Sequence, residues 1–211
     1  MAAYGFVLVG GLSSRMGRDK TRLPYRGTPM ALHQAEKLEA VCGRAAFVGK
    51  DPEAFAGSRF PFVTDGASEA AAAFGVAAAL AFSPEETNLI LAADMPRCSE
   101  VFLTALLEVA GATHAAAVVP ISGGRAQPLC GIWRRSALGP LRARLEAGDY
   151  SLVSALRALQ AVFIPEERTA AMPDGALANF LNVNTPEEYE ALENEIEADG
   201  PAGACAQPPR R

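Results

Sequence analysis

An apolar run over residues 4–9 (Tyr-Gly-Phe-Val-Leu-Val) ends abruptly in Gly10-Gly11. Arg15, Gly17 and Lys20 follow within one short segment. The β-branched and aromatic character of the run predicts a buried first strand. Glycines at its end let the backbone turn sharply and approach a ligand closely. Backbone N–H groups gathered in such a loop favour an anion. Arg15 and Lys20 add full positive charges and directed donors, which suits phosphate. The stretch therefore reads as a loop wrapping the phosphates of a nucleotide. It fits neither the Walker pattern nor the dinucleotide fingerprint. The alternative is an ordinary strand-to-helix turn with solvated charges.

Residues 88–96 (Asn-Leu-Ile-Leu-Ala-Ala-Asp-Met-Pro) form the second decisive stretch. A continuous apolar run predicts a central parallel strand buried on both faces. Asp94 at its end falls where open α/β sheets bind ligands. A hard carboxylate oxygen there suits Mg²⁺ bridging to phosphate. Asp94 as a simple cap for the next helix is the competing reading, but Ser99 is itself a good cap.

The rest of the chain alternates strands and helices, so the fold class is α/β with a mostly parallel sheet covered on both sides. Residues 23–25 read as a short extended piece and Arg26-Gly27 as a turn. Thr28 is the expected N-cap and Pro29 the first position of a helix over 31–41 that ends near Gly43. Strands are expected over 45–48 and 60–65, the latter stopping on Asp65. An alanine-rich helix is expected over 68–82, with Ser68 and Glu69 in its first turn. Further helices are expected over 100–109, 135–147 and 150–159, and strands over 115–120, 128–133 and 161–164. Residues 122–125 read as a hairpin turn, and 166–175 as a surface loop. Thr185, Pro186 and Glu188 make a capping box for a last helix. Asn182 and Asn184, two apart, would face one side if their segment is a strand. The folded domain is expected to span 1–197. The Pro- and Gly-containing stretch 198–211 is expected to be disordered and dispensable.

Residues 8–20, the Asp94-Met95-Pro96 triplet and the run 182–188 together resemble the molybdenum cofactor guanylyltransferases, a branch of the Rossmann-like nucleotidyltransferases. The resemblance extends from about residue 4 to 189. It implies GMP transfer from GTP to the terminal phosphate of molybdopterin or its molybdenum-bound form, with release of pyrophosphate. It also implies backbone contacts to the nucleotide from Leu8, Val9, Gly10 and Gly11. Lys20, with Arg15, would bind the phosphates, Asp65 the guanosine portion, and Asp94 would hold Mg²⁺. Arg125, Gln127, Asn182 and Asn184 are the candidates for the acceptor. The implied partners are an upstream molybdenum-insertion protein and the recipient molybdoenzymes or their chaperones. The chain departs from the usual pattern at Val9, which adds bulk beside the nucleotide, and at Gly49, where some members have asparagine. It departs again at residues 73–77, where Phe74 brings bulk near the base pocket. These departures keep open a cytidylyltransferase or sugar-1-phosphate nucleotidyltransferase reading, and a third in which the chain is a non-catalytic nucleotide-binding accessory protein.

A net charge of -5 argues against a general nucleic-acid binder. The start of the chain lacks the basic and apolar regions of a signal peptide, and the alanine-rich segment is too short to span a bilayer. A soluble, cytoplasmic protein is the expectation. Cys42, Cys98, Cys130 and Cys205 are scattered, which predicts reduced thiols rather than a zinc or iron–sulfur site.

Overall fold

The computed structural model describes residues 2–10, 23–69, 71–175 and 177–198. Its centre is strand β1 (Ala3–Leu8), buried at every position and parallel to both its neighbours, β4 (Ala45–Gly49) and β6 (Thr87–Ala92). A strand with water on neither side needs apolar residues on both faces, which is why the sequence runs rather than alternates. On the far side of β4 lies β5 (Phe62–Thr64), also parallel. On the far side of β6 the direction reverses. The strand β9 (Cys130–Arg134) pairs antiparallel with β6 and with β7 (Ala117–Ser122), and β10 (Val162–Ile164) closes the edge parallel to β7. The sheet order is β10-β7-β9-β6-β1-β4-β5, with β8 (Arg125–Ala126) folding back on β7. The mostly parallel α/β sheet expected from the sequence is therefore present.

Alternate side chains of the strands feed two cores. Val7, Phe47, Leu89 and Leu91 face one side, where they meet α1 (Met30–Cys42) and α3 (Glu100–Gly111). Phe6, Leu8, Val48 and Ile90 face the other, against α2 (Ala72–Phe82), α4 (Leu138–Glu146) and α5 (Leu152–Ala158). Each of these fully buried large side chains contributes roughly 1.5–3 kcal/mol of transfer free energy. Among the described residues, no helix is long and apolar enough to cross a membrane. Cys42, Cys98 and Cys130 are free thiols, and the Sγ atoms of Cys98 and Cys130 lie 3.7 Å apart in the interior. That contact, with burial, pushes the Cys130 thiol well up from its ordinary value.

Four local expectations need correction. Thr28 and Pro29 do not open a helix. They form β3 (Thr28–Pro29), which pairs with β2 (Pro24–Tyr25) in a small hairpin, and the helix starts at Met30 without a side-chain cap. The alanine-rich helix starts at Ala72 rather than at residue 68. The Asp65 carboxylate accepts from the Ala67 N–H at 3.1 Å, and the Lys50 ammonium donates to the carbonyls of Ala67 and Glu69, so this stretch is held as a loop. Residues 166–170, expected as loop, form α6 (Glu166–Ala170), with the Thr169 hydroxyl donating to Ile164 O. The segment 181–185 is not a strand. It runs from a 3₁₀ turn (Leu177–Phe180) to α7 (Pro186–Ala198).

Candidate active site

The carboxyl edge of the parallel strands collects most of the described candidate residues. At the end of β1, Val9 N donates to Val48 O at 2.8 Å, and Ala93 N donates to Leu8 O at 3.1 Å. The backbone of Leu8 and Val9 is thus fixed between the ends of β4 and β6. At Gly10 the chain leaves the sheet with φ of 122°, a conformation that a side chain rarely adopts. Gly11, Arg15 and Lys20 lie outside the described residues.

Val9 turns its side chain away from solvent. Its side chain is buried in the core that also holds Ala31, Ala35 and Met95. Gly49 completes the arrangement, because a Cβ there would lie 2.1 Å from Val9 O. Gly75, in the segment that departs from the family pattern, lets α2 close on Leu8. A Cβ at this position would sit 3.3 Å from Leu8 Cδ2.

Asp65 follows β5 on the same edge, and its N–H donates to Gly49 O at 3.0 Å. Its carboxylate lies 4.0 Å from Lys50 Nζ and opens on a cavity of 570 Å³. Val63, Thr64, Phe74, Arg142 and Glu146 line the same cavity. The Phe74 ring sits in it at 5.2 Å from the Tyr150 ring, so the extra bulk is directed outward from α2 rather than into the core. Asp65 and Phe74 thus line one cavity.

Asp94 stands two residues beyond β6 and is half-buried. The loop after it is gripped from below by α1. Gln34 Nε2 donates to Met95 O, and Lys37 Nζ donates to Pro96 O at 2.6 Å and to Cys98 O at 2.8 Å. Burial pulls the Lys37 ammonium down to about 8. Ser99 caps α3 through its own hydroxyl, which accepts from Phe102 N at 3.1 Å, and Ser99 N donates to Asn179 Oδ1 at 2.9 Å. With Ser99 as the cap, Asp94 is not the cap of that helix.

From above, Val183 N donates to Asp94 O at 2.9 Å. Val183 is buried with Tyr25, Met30 and Leu192, while Asn182 and Asn184 on either side are exposed. The two asparagines therefore flank the point where the C-terminal segment meets Asp94, although no strand aligns them. The capping box beside them is present. The Glu188 carboxylate accepts from Asn184 N at 2.6 Å and Thr185 N at 3.0 Å, and Glu188 N donates to Thr185 Oγ1 at 3.2 Å.

Arg125 starts β8 and Gln127 follows it, on the return strand of a hairpin with β7; β7 itself runs parallel to β6, so the hairpin turn lies beyond its carboxyl end. Its turn uses two positive-φ glycines, Gly123 at 58° and Gly124 at 68°. Both turn amides donate to the Glu166 carboxylate, at 2.7 and 3.0 Å. Arg125 is exposed. The Gln127 amide is engaged locally, donating to Ser122 O at 3.3 Å and Arg125 O at 3.4 Å.

Sequence reasoning missed Gln34, Lys37 and Glu166, while Lys50 lies at the end of β4 on the sheet edge where the sequence puts it. A signal existed for the first two: polar residues at 34 and 37 are one helical turn apart, on the side of α1 that also carries Ala31, Ala35 and Leu38. Among the described residues no three His, Cys, Asp or Glu side chains converge as a metal cage. A single carboxylate at the strand end instead fits an ion held largely by substrate phosphates and water, as Mg²⁺ often is.

Comparison with known proteins agrees with this layout. The family described as the MobA-like NTP transferase domain matches residues 5–163. A Chloroflexus aggregans protein named "Probable molybdenum cofactor guanylyltransferase" is 33% identical over 199 residues, covering 92% of this chain and 94% of its own. The molybdenum cofactor guanylyltransferase of Syntrophotalea carbinolica is 26% identical over 185 residues, covering 87% of each chain. The solved structure of molybdopterin-guanine dinucleotide biosynthesis protein A from Archaeoglobus fulgidus superposes with a TM-score of 0.80 at 24% identity. It covers 92% of this chain and 99% of that one, and it shares the fold.

Proposed function

Because this chain belongs to the family of MobA-like NTP transferase domains, we propose that it is a molybdenum cofactor guanylyltransferase. It transfers GMP from GTP to the terminal phosphate of molybdopterin, free or molybdenum-bound. An oxygen of that phosphate forms the new bond to the α-phosphorus of GTP. The bond between the α- and β-phosphates breaks, and pyrophosphate leaves with the electron pair. The product is the guanine dinucleotide form of the cofactor.

The observation that carries this reading is the junction of the strand end Leu8–Val9 with the Asp94 loop, joined by the Ala93 N to Leu8 O bond. This junction of a strand end with a carboxylate-bearing loop supports reading the edge as a nucleotide site with a cation beside it. Leu8, Val9, Gly10 and Gly11 offer backbone groups to the nucleotide, and Asp65 addresses the guanosine portion. Asp94 would hold Mg²⁺, which supplies charge neutralisation on the phosphate oxygens. Arg15 and Lys20 stabilise the departing pyrophosphate. The attacking phosphate is already an anion at neutral pH, so alignment and charge carry the reaction without a general base. Arg125, Gln127, Asn182 and Asn184 border the acceptor side. The upstream molybdenum-insertion protein and the recipient molybdoenzymes or their chaperones are its partners in a cytoplasmic setting, and residues 198–211 are dispensable.

Purified protein incubated with GTP, Mg²⁺ and molybdopterin should release pyrophosphate and form the guanine dinucleotide, read by chromatography. Asp94→Asn should lower turnover by about 100-fold or more while the fold stays intact. Full activity of that variant would remove Asp94 from the site. Calorimetry with GTP, CTP, ATP and UTP tests the base. A preference for CTP would move the assignment to cytidylyl transfer and make Phe74, which lines the Asp65 cavity, the first residue to change.

A further inference from the structure

Helix α1 carries two polar side chains on its buried side, and both reach the same target. Gln34 is fully buried, and Lys37 lies one turn further on, packed near the Tyr25 ring at 5.9 Å. Gln34 donates to Met95 O, and Lys37 donates to Pro96 O at 2.6 Å and Cys98 O at 2.8 Å. With Val183 N on Asp94 O at 2.9 Å, the carbonyls of residues 94, 95, 96 and 98 are all held by groups from outside the loop.

Hydrophobic burial alone does not require this. Met95 and Cys98 are already buried and would anchor the loop by packing. An apolar side chain at 37 would fill the space without the desolvation cost of an ammonium. What the lysine and glutamine add is direction. Charge-assisted bonds to two carbonyls, backed by a third from Gln34, fix the path of the backbone immediately after Asp94. Side chains that orient a metal ligand from behind commonly change metal affinity or activity by about 10- to 100-fold when lost.

We propose that Gln34 and Lys37 are positioning residues for Asp94, holding its carboxylate where it meets the cation on the nucleotide phosphates. This rests on the reading of Asp94 given above. It also makes α1 the mechanical link between the β2–β3 hairpin that precedes it and the Asp94 loop.

The test uses the full chain with Lys37→Met, Lys37→Arg and Gln34→Leu. Mn²⁺ binding in the presence of a non-hydrolysable GTP analogue is measured by electron paramagnetic resonance, beside the Mg²⁺ dependence of turnover. Thermal unfolding and amide exchange of residues 94–99 are followed in parallel. Lys37→Met should weaken Mn²⁺ binding about 10-fold and raise the Mg²⁺ needed for half-maximal rate by the same factor. Metal-free binding of the GTP analogue should be unchanged, and amide exchange in the loop should be faster. Lys37→Arg, which keeps charge and donors, should recover most of the loss. Unchanged metal binding together with a lower melting temperature would overturn the proposal and leave Lys37 a structural residue only. Should Lys37→Met fail to fold, Gln34→Leu decides by the same readouts. Asp94→Asn in the native background separates the two levels. If it leaves Mn²⁺ affinity unchanged, the reading of Asp94 falls. If it abolishes Mn²⁺ binding while the α1 variants do not alter it, only the positioning role falls.

Discussion

Val9 and Gly49 look in the sequence like two separate departures from the family pattern, and the fold makes them one. The Val9 carbonyl and side chain fill the space that a side chain at 49 would need, with contacts of 2.1 and 3.0 Å to a Cβ placed there. Gly49→Asn should therefore destabilise by about 2 kcal/mol through overpacking and lower nucleotide affinity with it, as read by urea unfolding and calorimetry. Wild-type stability in that variant would show that the strand end can shift. The pair was invisible to sequence reading because 40 residues separate its members and the contact is to a backbone atom. A second residue-level effect concerns His33. Burial, then Lys37 and Arg26, pull it from its ordinary 6.5 to about 4. Unfolding frees the ring to take a proton, so between those values the unfolded state binds more protons than the folded one. Stability is complete above about pH 6.5 and is lost as pH falls toward 4. Urea midpoints at about pH 7 and about pH 5 should differ less in His33→Gln than in the wild type. An equal difference would assign the window to other groups.

At the scale of elements, periodicity and caps were legible where the chain's own local chemistry decides. The capping box at Thr185–Glu188, the Ser99 cap and the Gly43 stop of α1 are all in place. Boundaries failed where a distant group decides instead. The start of α2 is delayed by Lys50, a side chain from the end of another strand. The C-terminal segment shows the same dependence, since Val183 is ordered by Asp94 O and by Tyr25, and Tyr189 donates its hydroxyl to Pro24 O at 2.7 Å. A chain ending at residue 180 loses these contacts and uncovers Tyr25 and Met30. It should keep most of its far-ultraviolet circular dichroism but lose most of its transferase activity. Retained activity would show that the C-terminal segment supports the fold only, and that Asn182 and Asn184 do not serve the acceptor.

On the level of the whole molecule, the sequence made the α/β class, the two-sided burial of β1 and β6 and the placing of Asp94 at a strand end readable, because long apolar runs leave few other folds. The reversal at β9 was readable only as a local hairpin. Its insertion between β6 and β7 depends on long-range pairing, such as Leu89 opposite Ile132, that no local pattern encodes. The candidate site was legible at the residues whose chemistry is unusual for their place, a glycine pair after a strand and an aspartate after an apolar run. The supporting side chains from α1 were not, because glutamine and lysine in a helix ordinarily face water. The central place of β1 has a consequence for synthesis. The first strand leaves the ribosome with its partner β4 close behind, but its other edge waits for β6, and β6 waits for β9. A nascent chain halted before residue 87 therefore exposes one edge of its central buried strand. Protease resistance of ribosome-bound chains should rise only after residue 134, the end of β9, has emerged.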